Sequence, residues 1–213
     1  MRKQIIILTK SDKHSGYCVA GIDRDTGEWI RVVSNDVSTE YAVPYDDMFL
    51  DDGSFVEVYD IVEIDFLRPV PTDVQPENYL YNKAIRWKKI GESNLEEVIE
   101  IHGYDDTEYV FGNDDRRLTE DEIYDAGGSL LLLKVRMPSY FVNRFPERTT
   151  FQLNFIYNGV QYSYFNVTDR ELKLQYMNRN VGSYPTGTNT FVFSLTDKYK
   201  DGKYYKVVAQ ALT

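Results

Sequence analysis

The stretch from Ile5 to Ser34 reads IIILTKSDKHSGYCVAGIDRDTGEWIRVVS and decides the fold class. It holds three apolar runs separated by two polar turns, and the second turn contains Gly27, which can adopt a positive φ. In the third run, Trp29, Arg31 and Val33 alternate with residues that face the other way. Short apolar and alternating runs between turns predict the start of an antiparallel β-meander.

The same pattern continues through the rest of the chain, with interruptions that predict short helices. Ser93 with Glu96, and Thr119 with Glu122, have the spacing of a capping box at a helix start. Aromatic residues make up 15% of the chain and include 18 tyrosines, which favour strands. The sequence therefore predicts a mostly β protein, built as two tandem OB-like small β-barrels with short helices.

Charge is distributed unevenly along the 213 residues, whose net charge is −10. Residues 1–137 contain 15 Lys and Arg against 29 Asp and Glu, whereas residues 138–213 contain 9 against 5. Pro138 and Ser139 mark a junction between these parts. We therefore predict a first domain over 1–137, with acidic insertions and an extended arm at about 72–92. A basic, aromatic-rich second domain is predicted over 138–213.

Several function classes find no support in the sequence. The single cysteine, Cys18, cannot form an intrachain disulfide, and no His and Cys cluster has metal-ligand spacing. Cys18 and His14 are the one nucleophile–base pair to consider, but Cys18 falls within a predicted strand, where a thiol is inert. No segment has the length of a signal-peptide core or a membrane helix. We expect a cytoplasmic, non-enzymatic protein without catalytic residues, metal or cofactor, and the sequence leaves its oligomeric state open.

The first candidate ligand site is the loop between the first two predicted strands, with two residues of the third. Lysine and arginine side chains bind phosphates, and a tryptophan offers a stacking face for a base. The alternative, which we favour for Trp29, makes the tryptophan a core residue and the lysines part of a solvated loop. The site comprises Lys10, Ser11, Lys13, His14, Trp29 and Arg31.

Two further candidates combine basic or polar and aromatic side chains. In the arm, cations surround Trp87, a pattern found at RNA and DNA contacts, although a structural role for the tryptophan is favoured. In the second domain, two alternating aromatic strands form either a stacking platform or the barrel core, and Tyr162 and Tyr164 are expected on one face. The arm contributes Arg86, Trp87, Lys88 and Lys89, and the second domain contributes Tyr162 and Tyr164.

Three pairs of short sequence blocks stand out along the chain. They are residues 7–23 with 29–34, 157–162 with 166–169, and 194–196 with 205–209. Together they resemble a largely uncharacterised bacterial family described as a dual OB-fold domain, and the Gly-Tyr-Cys-Val-Ala-Gly string of the first block is the most specific part. The resemblance implies two tandem OB folds and a role in nucleic-acid binding, in the context of bacterial defence. It supplies no established catalytic residues.

We therefore expect a binding module of two OB-like folds that holds single-stranded nucleic acid or a nucleotide-like ligand. The alternative is a protein–protein interaction module whose acidic first domain docks a basic partner, because a net charge of −10 opposes nucleic-acid binding. No membrane association is expected.

Overall fold

The structure is a computed structural model that describes residues 1–13 and 15–213. His14, one of the predicted ligand residues, lies outside the described residues. The chain divides into two compact units, Met1–Gly103 and Tyr104–Thr213, each built on its own β-sheet. The predicted mostly β class with two OB-like units is confirmed. Within the described part of the chain, no helix is long and apolar enough to cross a membrane.

The first unit contains a closed five-stranded barrel. Its elements are β1 (Arg2–Lys13), β2 (Gly16–Asp23), β3 (Trp29–Val33), β4 (Val43–Pro44), β5 (Asp60–Pro69), β6 (Asn78–Tyr81), β7 (Lys88–Glu92) and helix α1 (Leu95–Ile101). Going round the barrel, β1 pairs with β2, β2 with β3, β3 with β6, β6 with β5, and β5 again with β1. The β3–β6 pair is parallel and the other four are antiparallel, which gives the Greek-key barrel of the OB fold.

Alternation along each strand fills the barrel interior, as the sequence predicted. Ile30 and Val32 of β3, and Val62 and Ile64 of β5, belong to one buried apolar cluster. The connection from β3 to β5 adds further apolar residues to this cluster. These residues are Met48, Leu50 and Val56.

The predicted extended arm at 72–92 is wrong, because this segment contains a barrel strand. β6 lies between β3 and β5 and closes the barrel, and β7 continues the sheet beside β5. β6 has four residues, too few to show an alternating pattern, and Pro71 and Pro76 precede it. The sequence signal of a strand was therefore hidden by its shortness and by its prolines.

The second unit repeats the same strand order. Its elements are β8 (Arg117–Leu118), β9 (Leu130–Lys134), β10 (Arg136–Phe145), β11 (Arg148–Tyr157), β12 (Val160–Val167), helix α2 (Arg170–Tyr176), β13 (Gly182–Pro185), β14 (Thr190–Leu195) and β15 (Tyr204–Leu212). The sheet order is β13-β10-β11-β12-β15-β14-β9, with β12 and β15 parallel. Only Val135 separates β9 from β10, so these two act as one bent first strand that joins the two ends of the sheet.

The boundary between the units follows Gly103, which corrects the predicted boundary after residue 137. β9 pairs with β14 of the second sheet, so the segment before residue 138 belongs to the second unit. With this boundary the first unit has 11 Lys and Arg against 20 Asp and Glu, and the second has 13 against 14. The second unit is therefore nearly neutral, because it includes acidic loops that the prediction assigned to the first domain.

The first helix starts one residue after its predicted position. Asn94 rather than Ser93 is the N-cap of α1, and its side chain accepts a hydrogen bond from the Glu97 amide. Asp169 caps α2 in the same way through the Leu172 amide. Side chains with oxygen acceptors therefore begin both helices, as capping chemistry requires.

Gly21 lies at the closest approach of β1 and β2. A Cβ atom on this residue would lie 2.0 Å from the carbonyl oxygen of Ile6, in the backbone of the neighbouring strand. Backbone atoms of a central strand cannot move away without disturbing the whole ladder. The position therefore requires glycine for reasons of space.

We expect Gly21→Ala to lower the free energy of unfolding by about 3 kcal/mol or more, because the added methyl must push β1 and β2 apart. Denaturant titration followed by circular dichroism measures this change. Gly91→Ala is the matched control, since its Cβ would meet only the Ile61 Cδ1 at 3.4 Å. Equal stability of the two variants would contradict the close approach.

Candidate ligand-binding face

The predicted loop from Lys10 to Lys13 is the end of strand β1. A bulge at Leu8 shifts the strand, so that Lys10 lies opposite Val19 and takes the inward direction. Lys10 is buried, forms an ion pair with Glu57, and has its ammonium 5.6 Å from the centre of the Phe55 ring. Ser11 is also buried, and Lys13 is partly buried at the strand end. Lys10 and Ser11 are therefore buried residues of the barrel and do not belong to an exposed loop.

Arg31 is committed to an internal contact. Arg31 is 3% exposed; its Nε donates to Glu77 Oε1 at 3.1 Å, and its Nη1 donates to Cys18 Sγ at 2.6 Å. Burial of an arginine requires such a partner, since an unpaired buried charge is costly. Arg31 therefore holds β6 against β3.

Trp29 begins β3 and is partly buried. Its ring meets the His102 ring edge-on, with centroids 5.3 Å apart, and no hydrogen-bond partner for its Nε1 is found among residues 1–13 and 15–213. Ala20 and Ile22, which share the outer side of β2 with Cys18, are fully buried. OB folds bind ligands on the outer face of their second and third strands, so this face is closed in the first unit.

The basic residues around Trp87 do not form one surface. Trp87 is 2% exposed and meets Tyr81 edge-on at 5.5 Å, as a core residue. Arg86 is exposed and donates to the Phe49 carbonyl oxygen at 3.3 Å, and Lys88 is exposed on β7. Lys89 forms ion pairs with two carboxylates, and these hydrogen bonds raise its pKa. The structure thus separates the tryptophan from the cations.

A β-bulge in the second unit separates Tyr162 from Tyr164. Phe155 lies opposite Tyr162 and Leu153 opposite Phe165, so Ser163 and Tyr164 together face Asn154 alone. The extra residue puts both Tyr162 and Phe165 in the core, with ring centroids 5.6 Å apart. The predicted common face for Tyr162 and Tyr164 is therefore wrong, because simple alternation stops at the bulge.

Tyr164 is held outward in a strained conformation. Its φ is +63°, in the left-handed region that costs a non-glycine residue about 1–2 kcal/mol. Its amide donates to Asn154 Oδ1 at 2.7 Å, and its carbonyl oxygen accepts from Gln152 Nε2 at 3.2 Å. The ring is 48% exposed and meets Phe141 edge-on, with centroids 5.9 Å apart. Neighbouring amides therefore fix an aromatic ring on the outside of the sheet.

The outer surface around Tyr164 carries amides, hydroxyls and aromatic rings, with arginines at its two ends, where Arg148 lies opposite Phe145 and Arg136 opposite Ile156. The sequence from residue 149 to residue 168 contains no Asp, Glu, Lys or Arg. Strand register brings the side chains of β10, β11 and β12 into adjacent rows, since Phe141 lies opposite Gln152 and Gln152 opposite Asn166. We call this surface the amide face. It comprises Ser139, Phe141, Asn143, Thr150, Gln152, Asn154, Tyr164 and Asn166.

Three exposed arginines lie at the tip of the β10–β11 ladder and in the turn after α2. Arg148 is opposite Phe145 at the β10–β11 tip, with its guanidinium 5.5 Å from the centre of that ring. Arg144, beside it, donates from Nη2 to the carbonyl oxygens of Asn178 and Arg179 at 3.3 and 3.0 Å. The guanidinium of Arg179 lies 4.2 Å from the centre of the Tyr176 ring. We call Arg144, Arg148 and Arg179 the arginine end.

The Tyr162 hydroxyl belongs to a buried network behind the amide face. It accepts from the Val110 amide at 3.2 Å and donates to the Asn113 carbonyl oxygen at 3.4 Å, and burial raises its pKa. Lys206 Nζ donates to the same carbonyl oxygen at 2.8 Å and to Asn113 Oδ1 at 2.6 Å. Lys206 therefore fastens the segment before β8 to the barrel.

Burial lowers the pKa of Lys206 to about 7, although three carboxylates act in the opposite direction. Its side chain is among the fully buried ones, at 2% exposure, so loss of water around the ammonium outweighs those charges. The carboxylates are Asp114, Asp115 and Glu122.

The residues of the amide face were not predicted from the sequence, apart from Tyr164. Gln152, Asn154 and Asn166 are polar residues in strands, which individually indicate no site. The signal that could have identified them is the uncharged run at 149–168, in a chain with 27% charged residues. Among the described residues, no group of three or more His, Cys, Asp or Glu side chains is arranged to hold a metal ion.

We expect the free energy of unfolding to depend on the charge of Lys206. Between pH 7 and about 10, Lys206 is protonated in the unfolded chain and neutral in the folded protein. Its contribution to the free energy of unfolding therefore rises by about 1.4 kcal/mol per pH unit. Denaturant titrations of the native protein and of Lys206→Met over this range measure the slope. The difference between them should grow as pH rises, whereas Lys200→Met, an exposed lysine, should match the native protein. Parallel curves for native and Lys206→Met would contradict a neutral buried amine.

Tyr164→Gly should change the free energy of unfolding by less than about 1 kcal/mol, although it removes an aromatic side chain. Glycine relieves the left-handed strain, and this gain offsets the loss of the half-exposed ring. Thermal or denaturant unfolding measures the effect, with Tyr164→Ala as the comparison that removes the ring and keeps most of the strain. A glycine variant less stable than the alanine variant would show that the bulge is not strained.

Comparison with known proteins gives one match. A family model for a dual OB-containing domain matches residues 3–211. No curated protein and no solved structure matches the chain. The matched region includes both units and nearly all of the chain, in agreement with the sequence blocks and with the strand order of each barrel. The chain belongs to the family of dual OB-containing domains.

Proposed function

We propose that the protein is a non-enzymatic binding module that holds single-stranded nucleic acid on the amide face of its second unit. The observation that carries this proposal is the outward Tyr164 ring, fixed by a bulge and two amide hydrogen bonds despite its left-handed backbone. Strained conformations of bulky residues persist where the surrounding structure enforces them, and they cluster at binding sites.

The position of the amide face supports the proposal. β11 and β12 are the second and third strands of an OB-type barrel, and oligonucleotides bind OB folds on this face. An exposed aromatic ring can stack with any base, and such a contact is worth about 1–3 kcal/mol. Gln152, Asn154 and Asn166 both donate and accept hydrogen bonds, as base edges do. The corresponding face of the first unit is buried, so one of the two units supplies the site.

The acidic first unit is the basis of the alternative function. With 11 basic against 20 acidic residues, it repels nucleic acid and attracts a basic protein partner. Capture from a nuclease-treated lysate, followed by competition with a single-stranded oligonucleotide, separates the two functions. A nucleic-acid ligand on the second unit predicts that the oligonucleotide binds directly to the purified protein.

Tyr164→Ala should weaken the binding of a single-stranded oligonucleotide by about 5- to 150-fold, because one base loses its stacking partner. Fluorescence anisotropy with labelled mixed-sequence RNA and DNA of about 10 nucleotides, at low salt, measures the dissociation constants. Tyr124→Ala is the matched control, since that tyrosine is 69% exposed in the same unit and lies on a 3-10 helix away from β11 and β12. It should bind as the native protein does.

Two outcomes would overturn the proposal. One is that no RNA or DNA oligonucleotide binds the native protein at low salt. The other is that Tyr164→Ala and Tyr124→Ala weaken binding equally. Binding of a neutral oligosaccharide instead of an oligonucleotide, which an uncharged face with aromatic rings also suits, would assign a different ligand class to the same face.

A further inference from the structure

We infer that the second unit divides recognition between two surfaces: the amide face contacts the bases, and the arginine end contacts the phosphates. This inference rests on the proposed function. It goes further by stating which ligand groups each surface binds and how binding responds to salt.

The amide face has nothing with which to neutralise a phosphate. Binders of single strands that follow the backbone line their groove with lysine and arginine. Here every outer position from Thr150 to Asn166 is uncharged, and the ring of Tyr164 is its most exposed aromatic group. The face therefore suits the uncharged parts of the ligand, which are the bases and the sugar rings.

The arginine end has the chemistry that phosphates require. Guanidinium groups are planar and donate two parallel hydrogen bonds to a phosphate, and they keep their charge at any physiological pH. Arg179 lies between the rings of Tyr176 and Tyr184, at 4.2 and 5.4 Å from their centres. Arg148 lies over Phe145 in the same manner. Aromatic rings that hold the guanidinium planes reduce the entropy lost when a phosphate binds.

Arg148 connects the arginine end to the amide face, because it lies on the same side of β11 as Thr150. Arg144 lies on the other side of the β10–β11 ladder. Arg148 and Phe145 form the last pair of the β10–β11 ladder, and the side chain of Arg144 joins this tip to the turn after α2, which contains Arg179. Along β11, Arg148 is followed by Thr150, Gln152 and Asn154, the outer residues of the amide face. A nucleic-acid strand lying along β11 therefore meets Arg148 first and the uncharged positions next, with Arg144 and Arg179 beyond the tip of the ladder.

The division has a measurable consequence. For single strands, the logarithm of the binding constant falls with the logarithm of salt concentration by about 0.7 for each phosphate contact. Three arginines predict a slope of about −2 for the whole protein, much shallower than for a binder that contacts every phosphate. Binding should then depend on the bases more than on the length of the charged backbone.

Anisotropy titrations of the native protein over a range of salt concentrations test the inference. Arg148→Gln and Arg179→Gln should each make the slope shallower by about 0.7, whereas Tyr164→Ala should weaken binding equally at every salt concentration and leave the slope unchanged. Arg68→Gln is the matched control, since Arg68 is exposed on β5 of the first unit, and it should keep the native slope. An oligonucleotide with abasic sites keeps the phosphates and should lose most of its affinity.

The outcomes separate this inference from the function on which it rests. If oligonucleotides bind and Tyr164→Ala weakens them, but the arginine variants keep the native slope, the division is wrong and the proposed function stands. A native slope steeper than about −4, or unchanged binding of the abasic strand, would also overturn the division. If no oligonucleotide binds, the proposed function itself fails. Circular dichroism of each variant confirms that it is folded.

Discussion

Both barrels depend on a short parallel pairing between their third and last strands. In the first unit β3 pairs with β6 through three residue pairs, and in the second β12 pairs with β15 through two. Few backbone hydrogen bonds close each barrel at this pairing. Side chains at these positions therefore contribute a larger share of the contacts that hold the two strands together. Arg31 reinforces the first closure by its ion pair with Glu77, whereas Asn166 at the second closure belongs to the amide face.

This difference explains how two copies of one strand order can serve different purposes. In the first unit, the outer side chains of β2 and β3 are buried and are occupied with internal contacts, so the unit contributes a stable and strongly acidic body. In the second unit, the outer side chains of Thr150, Gln152 and Asn154 on β11 and of Tyr164 and Asn166 on β12 are uncharged and at least partly exposed. Internal contacts occupy the outer face of β2 and β3 in the first unit, whereas the outer face of β11 and β12 in the second unit is at least partly exposed.

Much of the fold could be predicted from the sequence, because alternation and turns are local properties. Period two separated Trp29, Arg31 and Val33 from Ile30 and Val32, and the structure places Ile30 and Val32 together in the core cluster. Bulges could not be predicted, since one extra residue leaves no composition signal and yet reverses every direction after it. Two expected side-chain positions changed for this reason: Lys10 turns inward after the bulge at Leu8, and Tyr162 and Tyr164 do not share a face. The domain boundary failed because charge was counted along the chain, whereas strand pairing defines the units.

Gly21 has a consequence for how the first barrel folds. At Gly21, which lies opposite Ile7, the carbonyl oxygen of Ile6 occupies the space that a Cβ would need, and both neighbours of Gly21, Ala20 and Ile22, have a Cβ. A hairpin of β1 and β2 that slipped by one residue would bring one of these neighbours into the same collision. Gly21 thus fixes the register of β1 and β2. That alignment decides which residues of the meander face the core of the barrel.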